Sequence, residues 1–164
     1  MKTIYSDEHR LHAQQAELSG GRFGPAFEIP RRADMVLARV RETKLGPVLA
    51  PAPHGPEPLL RVHDQAFLQF LEQAYDEWRK IHGESEAIPV VWPGPGMRRL
   101  RPNRLGARMG YYAIDASTPL TATTWRAVRA AADVALTAAG LVQAGEAAAF
   151  ALCRPPGHHA GADS

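Results

Sequence analysis

Two adjacent histidines, His158 and His159, are the residues of this sequence best suited to proton-transfer chemistry. Histidine titrates near neutral pH, so a fixed pair can divide the work, one ring taking a proton while the other gives or stabilises one. The pair follows an apolar run at 147–153 and a Pro-Pro-Gly turn at 155–157. Consecutive side chains of a regular strand point to opposite faces, so aiming both rings at one substrate requires the irregular backbone of that turn. The residues alone leave open a surface pair without a role.

Two acidic residues occupy positions from which they could line the rim of a site. Glu17 lies between a predicted strand end and a glycine pair at 20–21, and Asp115 follows a tyrosine pair at 111–112. A carboxylate at such a rim would face a cationic ligand, but a lone loop carboxylate is more often simply solvated. Both interpretations remain open from the residues alone.

The other histidines and the single cysteine give little support for a metal site or a disulfide. His9 and His12 stand three residues apart, a spacing that could ligate a metal on a helix, yet no carboxylate or thiolate cluster completes the set. We expect hydrogen-bonding roles for them and a packing role for His63. Cys153 excludes an intrachain disulfide and a multi-thiolate zinc site. A lone cysteine also fits a reducing compartment, so the expected location is the cytoplasm.

Composition narrows the classes of partner. The chain has 164 residues, a formal net charge of +2 and an ordinary globular apolar content of 45%. A charge this small does not favour nucleic acid or an anionic membrane surface as a partner. No run approaches the roughly 18 to 20 consecutive apolar residues of a membrane span, and the first residues lack the apolar region of a signal peptide. We therefore expect one domain that binds neither nucleic acid nor a membrane.

Short, continuous apolar runs alternate along the chain with segments whose apolar residues recur at helical spacing. Strands are predicted at 2–5, 47–50, 88–92 and 147–153, the last buried on both faces. Helices are predicted from Pro30, after an N-cap at Asp64, and over the alanine-rich segment 125–143. This alternation predicts an α/β fold with a parallel sheet flanked by helices. The sheet-facing side of the last helix is predicted to carry Val128, Ala132, Ala135, Ala139 and Val142.

Two stretches are rich in residues that interrupt regular structure. We predict an irregular loop from Ser6 to Pro30 and another over 93–104, where proline, glycine and arginine are concentrated. The second loop is either solvated surface or a lid or subunit contact near a site, since loop charges usually face water but binding residues also concentrate on loops.

The segment 152–160, Leu-Cys-Arg-Pro-Pro-Gly-His-His-Ala, closely resembles the histidine-pair motif of the arginase–deacetylase superfamily. It is most similar to the motif of the bacterial acetylpolyamine amidohydrolases, which are akin to histone deacetylases. The similarity extends back through the alanine-rich helix, 110–112 (Gly-Tyr-Tyr), 62–64 (Val-His-Asp) and 17–21 (Glu-Leu-Ser-Gly-Gly). The resemblance implies an arginase–deacetylase-like fold, incomplete in this chain, with residues 1–164 as the N-terminal part of a single deacetylase-like domain.

The resemblance also implies a chemistry and roles for individual residues. In that family a zinc ion polarises an acetyl amide carbonyl and activates a water, while the histidine pair handles the protons. By position, His159 would be the general base and His158 the general acid or electrostatic partner. Glu17 matches a rim carboxylate that attracts a small cationic acetylated amine, and Asp115 lies near a second acidic rim position. A loop insertion at about 93–110 would narrow the entrance and mediate a homodimer.

The sequence departs from the family pattern after the histidine pair. The zinc of the family is held by an Asp, a His and a second Asp downstream of the pair, and a catalytic tyrosine lies further on, whereas here only Asp163 follows. The resemblance therefore assigns no metal ligand in this chain and no zinc at the family site. We expect a truncated and inactive form of a zinc-dependent deacetylase.

Two other functions remain open. The chain could be a non-catalytic interaction or dimerisation module of the same fold, in which the rim and the loop bind a partner. It could also belong to a protein acetyl-lysine deacetylase, which shares the chemistry and differs in access to the site. Glu17 and the long loop favour a small, slender, cationic substrate, through the resemblance alone.

Overall fold

The computed structural model of the chain describes residues 1–94, 96–98 and 100–164. The residues form two compact units. The sheet unit comprises Met1–Ala13, Glu28–Gly55 and Thr123–Gly157, and the hairpin unit comprises Gln14–Phe27, Pro56–Ala122 and His158–Ser164. In chain order the elements are β1 (Lys2–Ile4), a 3-10 helix (Asp7–Leu11), β2 (Ala16–Ser19), β3 (Arg22–Pro25), α1 (Arg31–Glu42), β4 (Val48–Leu49), α2 (Glu57–Leu60), α3 (Gln65–His82), α4 (Leu105–Tyr111), α5 (Thr124–Gln143) and β5 (Ala149–Ala151).

The sheet unit is built on three parallel strands in the order β4-β1-β5. Thr3 of β1 lies opposite Val48 on one side and Phe150 on the other. Parallel neighbours need a crossover connection, usually a helix, and the chain supplies α1 between β1 and β4 and α5 before β5. The predicted α/β class with a parallel sheet flanked by helices is therefore confirmed.

Alternate residues of β5 pack in different hydrophobic clusters. Phe150 joins a cluster of Tyr5, Ala33, Leu37 and Leu152, to which α1 contributes. The flanking alanines, 149 and 151, join a second cluster built from Ile4 of β1 and Val134 and Ala138 of α5. Successive side chains of a strand point to opposite faces, so β5 contributes to both clusters. The strand predicted at 147–153 is correct in type but wrong in extent and burial: it covers only 149–151, which are half-buried, while Ala147, Ala148 and Cys153 are exposed.

The buried side of α5 differs by one position from the predicted side. The helix buries Thr124, Ala127, Val134 and Ala138, whereas Ala135 and Ala139 of the predicted side are exposed. An alanine-rich helix has little contrast between its faces, so its sequence does not fix which side packs. Across the described part of the chain, no helix has the length and apolarity needed to cross a membrane.

A short hairpin replaces part of the irregular loop predicted between Ser6 and Pro30. Strands β2 and β3 pair antiparallel, with Leu18 opposite Phe23, and Gly20 and Gly21 form the turn between them. Both glycines have positive φ, 56° and 75°. A two-residue hairpin turn with two positive φ values is the type that glycine pairs favour, so the glycine pair closes a hairpin here.

Helix α3 organises the core of the hairpin unit. It begins after Asp64, as predicted, although the Asp64 side chain makes no capping hydrogen bond, and it ends at Gly83, whose φ is 73°. The buried cluster of this unit consists of Phe67, Phe70, Ala74, Tyr75, Ala87, Leu105, Met109, Tyr112 and Leu120. Helices α3 and α4 therefore share one apolar core.

The prediction of a strand at 88–92 is wrong. The segment has no regular structure, and only Ala87 forms an isolated bridge, to Leu120. Val90 and Val91 are exposed, so these β-prone residues lack the packed surface that strand propensity reflects.

In the predicted insertion at 93–110, Pro95 and Arg99 lie outside the described residues, and the last part forms α4. Homodimer contact through this loop stays a prediction.

Replacing Gly110 with alanine should destabilise the hairpin unit. A Cβ at this position would collide with the backbone carbonyl of Val91, so the segment must shift, at a cost of roughly 1 to 3 kcal/mol in the free energy of unfolding. Gly106→Ala in the same helix is the matched control, because a Cβ there meets nothing within 4 Å. That change should be neutral or stabilise by about 0.5 to 1 kcal/mol. Urea unfolding measures both, and equal effects would contradict the packing described.

Candidate active site

The two predicted catalytic histidines lie side by side at the surface of the hairpin unit. The ring centroids of His158 and His159 are 4.2 Å apart and the ring planes are inclined by 54°. Both side chains are exposed. Rings in contact and open to solvent can reach the same small molecule, and the catalytic role of the pair stays a prediction.

The segment after the pair is attached to the start of α3. Nδ1 of His63 donates a hydrogen bond to the Gly161 carbonyl at 2.7 Å, and the backbone N–H of Asp64 donates to the Ala162 carbonyl, also at 2.7 Å. The His63 ring additionally packs edge-on against Phe67 at 5.7 Å. The packing role predicted for His63 omitted this polar contact, because sequence spacing gives no sign of a partner 98 residues away.

The two predicted rim carboxylates belong to the same unit as the histidine pair, and each is bonded to nearby backbone. Oε2 of Glu17 accepts a hydrogen bond from the Phe27 N–H at 3.1 Å. Oδ1 of Asp115 accepts one from the Ser117 N–H at 2.7 Å, closing a local turn. Glu17 lies on β2 instead of in a loop. Both side chains are half-buried, and their contact with a substrate stays a prediction.

A buried arginine in the sheet unit, directly before the Pro-Pro-Gly turn, bonds to backbone carbonyls that are distant in sequence. Arg154 is 3% exposed and forms an ion pair with Glu28 at 2.7 Å. Its guanidinium also donates to the carbonyls of His9 and His12, at 2.6 Å each, and to the Glu28 carbonyl at 3.0 Å. No pattern in the sequence predicts this role, because an arginine beside a strand end carries no sign of the carbonyls that it will meet.

The buried histidines of the sheet unit have hydrogen-bonding roles. Nε2 of His9 lies 2.9 Å from the Tyr5 hydroxyl, and Nδ1 of His12 lies 3.0 Å from the Thr124 hydroxyl. Burial lowers the pKa of His9. Burial and, after it, the charge of Arg154 lower the pKa of His12 to about 4. The His12 ring is therefore neutral at pH 7 in the folded chain.

The depressed pKa of His12 predicts that the chain loses stability in mild acid. The folded ring resists protonation down to about pH 4, while the unfolded ring takes a proton near pH 6.5. Above about pH 6.5 the ring is neutral in both states and does not lower the free energy of unfolding. As the pH drops to about 4, this group lowers the free energy of unfolding by about 3 kcal/mol. His12→Asn keeps a hydrogen-bonding group at the Nδ1 position and removes the titration. Urea unfolding at pH 7, 5.5 and 4.5 should give a shallower decline for this variant, and parallel declines would contradict the assignment.

The described residues do not assemble a metal site by themselves. Within 1–94, 96–98 and 100–164, no group of three or more His, Cys, Asp and Glu side chains is arranged to hold a metal ion. The resemblance places the zinc ligands of the family downstream of the histidine pair, so the roles that it implies for this chain concern proton transfer and substrate binding, and these stay predictions.

Comparison with known families decides which fold these features belong to. A model of the histone deacetylase domain matches residues 26–164, which include the histidine pair, α3, α4 and the Arg154 segment. The chain belongs to the histone deacetylase family. The family predicted from the 152–160 motif is therefore confirmed.

Individual relatives of the histone deacetylase family define the likeness more closely. The chain is 47% identical over 163 residues to acetylpolyamine amidohydrolase 2 of Pseudomonas aeruginosa, covering 99% of this chain and 47% of that protein. It is 48% identical over 165 residues to acetylpolyamine amidohydrolase 1 of the same organism, covering 99% of this chain and 48% of that protein. The chain thus spans about half the length of the curated relatives it matches, as predicted.

A solved structure of the same family shares the fold. The crystal structure of an acetylpolyamine aminohydrolase from Burkholderia pseudomallei matches with a TM-score of 0.91 at 34% sequence identity. The match covers 99% of this chain and 47% of that chain. The arginase–deacetylase-like architecture predicted from the sequence is confirmed for the half that this chain spans.

Proposed function

We propose that the chain supplies the histidine pair and the substrate rim of a zinc-dependent amidohydrolase that deacetylates acetylated polyamines or similar small cationic acetylamides. The observation that carries the proposal is the pair of exposed rings 4.2 Å apart, in a chain 47% and 48% identical to two acetylpolyamine amidohydrolases. Because the described residues fit no metal site, we propose that residues 1–164 alone are inactive.

The two rings divide the proton transfers of amide hydrolysis. Water attacking an acetyl carbon must lose a proton, and the amine leaving that carbon must gain one. His159 takes the proton from the water as the general base. His158, in contact with it, supplies the positive charge or the proton that the leaving amine needs. Placing both rings against one amide makes the transfers intramolecular, which removes much of the entropic cost of bringing the groups together.

The rim carboxylates select the charge of the substrate. A monoacetylated diamine carries one neutral amide and one ammonium group, so anionic side chains near the entrance attract the end that does not react. The hydrogen bond from the Phe27 N–H holds one oxygen of Glu17, and the carboxylate retains lone pairs for a cation. Asp115 is held in the same way by the Ser117 N–H. These contacts favour a small cationic substrate over a neutral one.

A fusion protein tests the proposed function. It joins residues 1–164 to the remaining half of acetylpolyamine amidohydrolase 2 from Pseudomonas aeruginosa, whose matching half is 47% identical. We expect the fusion protein, supplied with zinc, to release acetate from a monoacetylated diamine, and residues 1–164 alone to release none. A folded fusion protein without activity would contradict the proposed function. Turnover by residues 1–164 alone would contradict the proposed inactivity.

Replacing Glu17 with glutamine in the fusion protein should weaken binding of cationic substrates selectively. The amide keeps the size and the hydrogen-bond acceptor of the side chain but removes its charge. A charge pair at the protein surface contributes on the order of 1 kcal/mol, so KM for a monoacetylated diamine should rise about fivefold with kcat little changed. KM for an uncharged acetylated alkylamine of equal length is the control and should not move. Equal changes for both substrates would exclude Glu17 as the charge selector.

A further inference from the structure

We propose that His63 is a positioning residue for the histidine pair, holding the backbone on which the two rings stand. The inference rests on the proposed function for its kinetic consequences. The juxtaposition itself stands on contacts within the hairpin unit: the His63 ring is bonded to Gly161, which follows His159 by two residues.

Two successive residues directly before α3 hold two successive carbonyls after the pair. Nδ1 of His63 bonds to the Gly161 carbonyl and the Asp64 N–H to the Ala162 carbonyl, at 2.7 Å each. A carbonyl only accepts hydrogen bonds, so Nδ1 must carry the proton. With a neutral ring, this contact requires the Nδ1–H tautomer and leaves Nε2 without a proton.

His63, the donor side of the contact, is itself firmly held. The His63 backbone N–H donates to the Leu59 carbonyl at 2.8 Å, and its ring packs against Phe67. Phe67 is 7% exposed and contacts Tyr112 with ring centroids 5.5 Å apart. His63, held by the buried core, therefore fixes the exposed segment that follows His159. This is the arrangement expected of a residue that supports a catalytic group.

Loss of this support should impair the chemical step more than binding. The rings must hold their geometry to well within 1 Å, and misplacement by about that distance can cost on the order of a hundredfold in rate. His63 acts through Gly161, which lies two residues after His159. We therefore expect His63→Ala to lower kcat of the fusion protein by about 10- to 30-fold, with KM changed less than about twofold.

Variants and an NMR readout separate positioning from general destabilisation. His63→Asn places an amide N–H near the Nδ1 position and should restore kcat to within about threefold of the parent. His82→Ala, which removes an exposed histidine stacked on Trp78, is the control and should leave kcat unchanged. Ring NMR signals of His158 and His159 should shift in the His63→Ala variant and return in the His63→Asn variant.

The tautomer of His63 gives a test that does not depend on activity. Nitrogen-detected NMR of residues 1–164, and of the fusion protein, should show the proton of the neutral His63 ring on Nδ1. A ring protonated on Nε2 alone would overturn the inference, as would equal loss of kcat in the alanine and asparagine variants. An inactive fusion protein that keeps the Nδ1–H tautomer and the His63-dependent ring shifts would contradict the proposed function and leave the positioning contact supported.

Discussion

Replacing His159 with alanine in the fusion protein should lower kcat for a monoacetylated diamine by about 100- to 10,000-fold. The ring is assigned the proton of the attacking water, and no other imidazole except His158 contacts it among the residues that the structure describes. KM should stay within about threefold, because the acidic rim that is proposed to bind the ammonium end is intact. Steady-state kinetics of acetate release measure both constants.

His82→Ala is the matched control for this experiment, since it removes an exposed imidazole that stacks on Trp78 instead of on another histidine. Its kcat should equal that of the parent. Comparable losses in the two variants would mean that the effect comes from the fold of the fusion protein, and the assignment of His159 as general base would be wrong.

Replacing Arg154 with methionine should lower the free energy of unfolding of the chain by about 3 to 5 kcal/mol. The substitution keeps a long side chain but leaves the Glu28 carboxylate and the carbonyls of His9 and His12 without their shared donor. Buried acceptors that lose their partner retain the full cost of leaving water. Urea unfolding followed by circular dichroism measures the change.

Arg39→Met is the control for the loss of an arginine charge. Arg39 pairs with Glu42 at 2.7 Å, but the side chains are 69% and 70% exposed, so this variant should cost less than about 1 kcal/mol. A loss of stability in Arg154→Met no larger than that in Arg39→Met would contradict the role given to the buried network.

The elements with a strong and contrasting apolar pattern could be predicted from the sequence. Helix α3 carries large apolar residues at helical spacing after Asp64, and the structure buries Phe67, Phe70 and Ala74 from it. The run around β5 was predicted as a strand because it is short, continuously apolar and followed by two prolines. In both cases local propensity and tertiary packing favour the same structure.

The elements that were missed depend on contacts that a local pattern does not contain. At 88–92 the β-prone residues lack a neighbouring strand, and Val90 remains 78% exposed. In α5, alanine on every side leaves the packed face to be decided by the residues it meets on the sheet. The hairpin of β2 and β3 carries a glycine pair at its turn, and such a pair is typical of an irregular loop as well as of a tight hairpin turn.

The candidate site shows the same division between local and distant information. His158 and His159 are adjacent in the sequence, and the turn before them indicates that both rings can face one side. The support from His63 joins residues 98 positions apart, and Arg154 reaches carbonyls 142 and 145 positions away. Such contacts are fixed by the tertiary fold, so they emerge only from the structure.

A double-mutant cycle on the histidine pair tests most directly the claim that both rings serve one amide. The fusion protein is compared with His158→Ala, His159→Ala and the variant carrying both changes, with kcat for a monoacetylated diamine as the readout. Residues that act as a unit are strongly non-additive. We expect kcat of the double variant to lie within about threefold of that of His159→Ala alone. Losses that simply multiply would show that the rings act independently and would contradict the account.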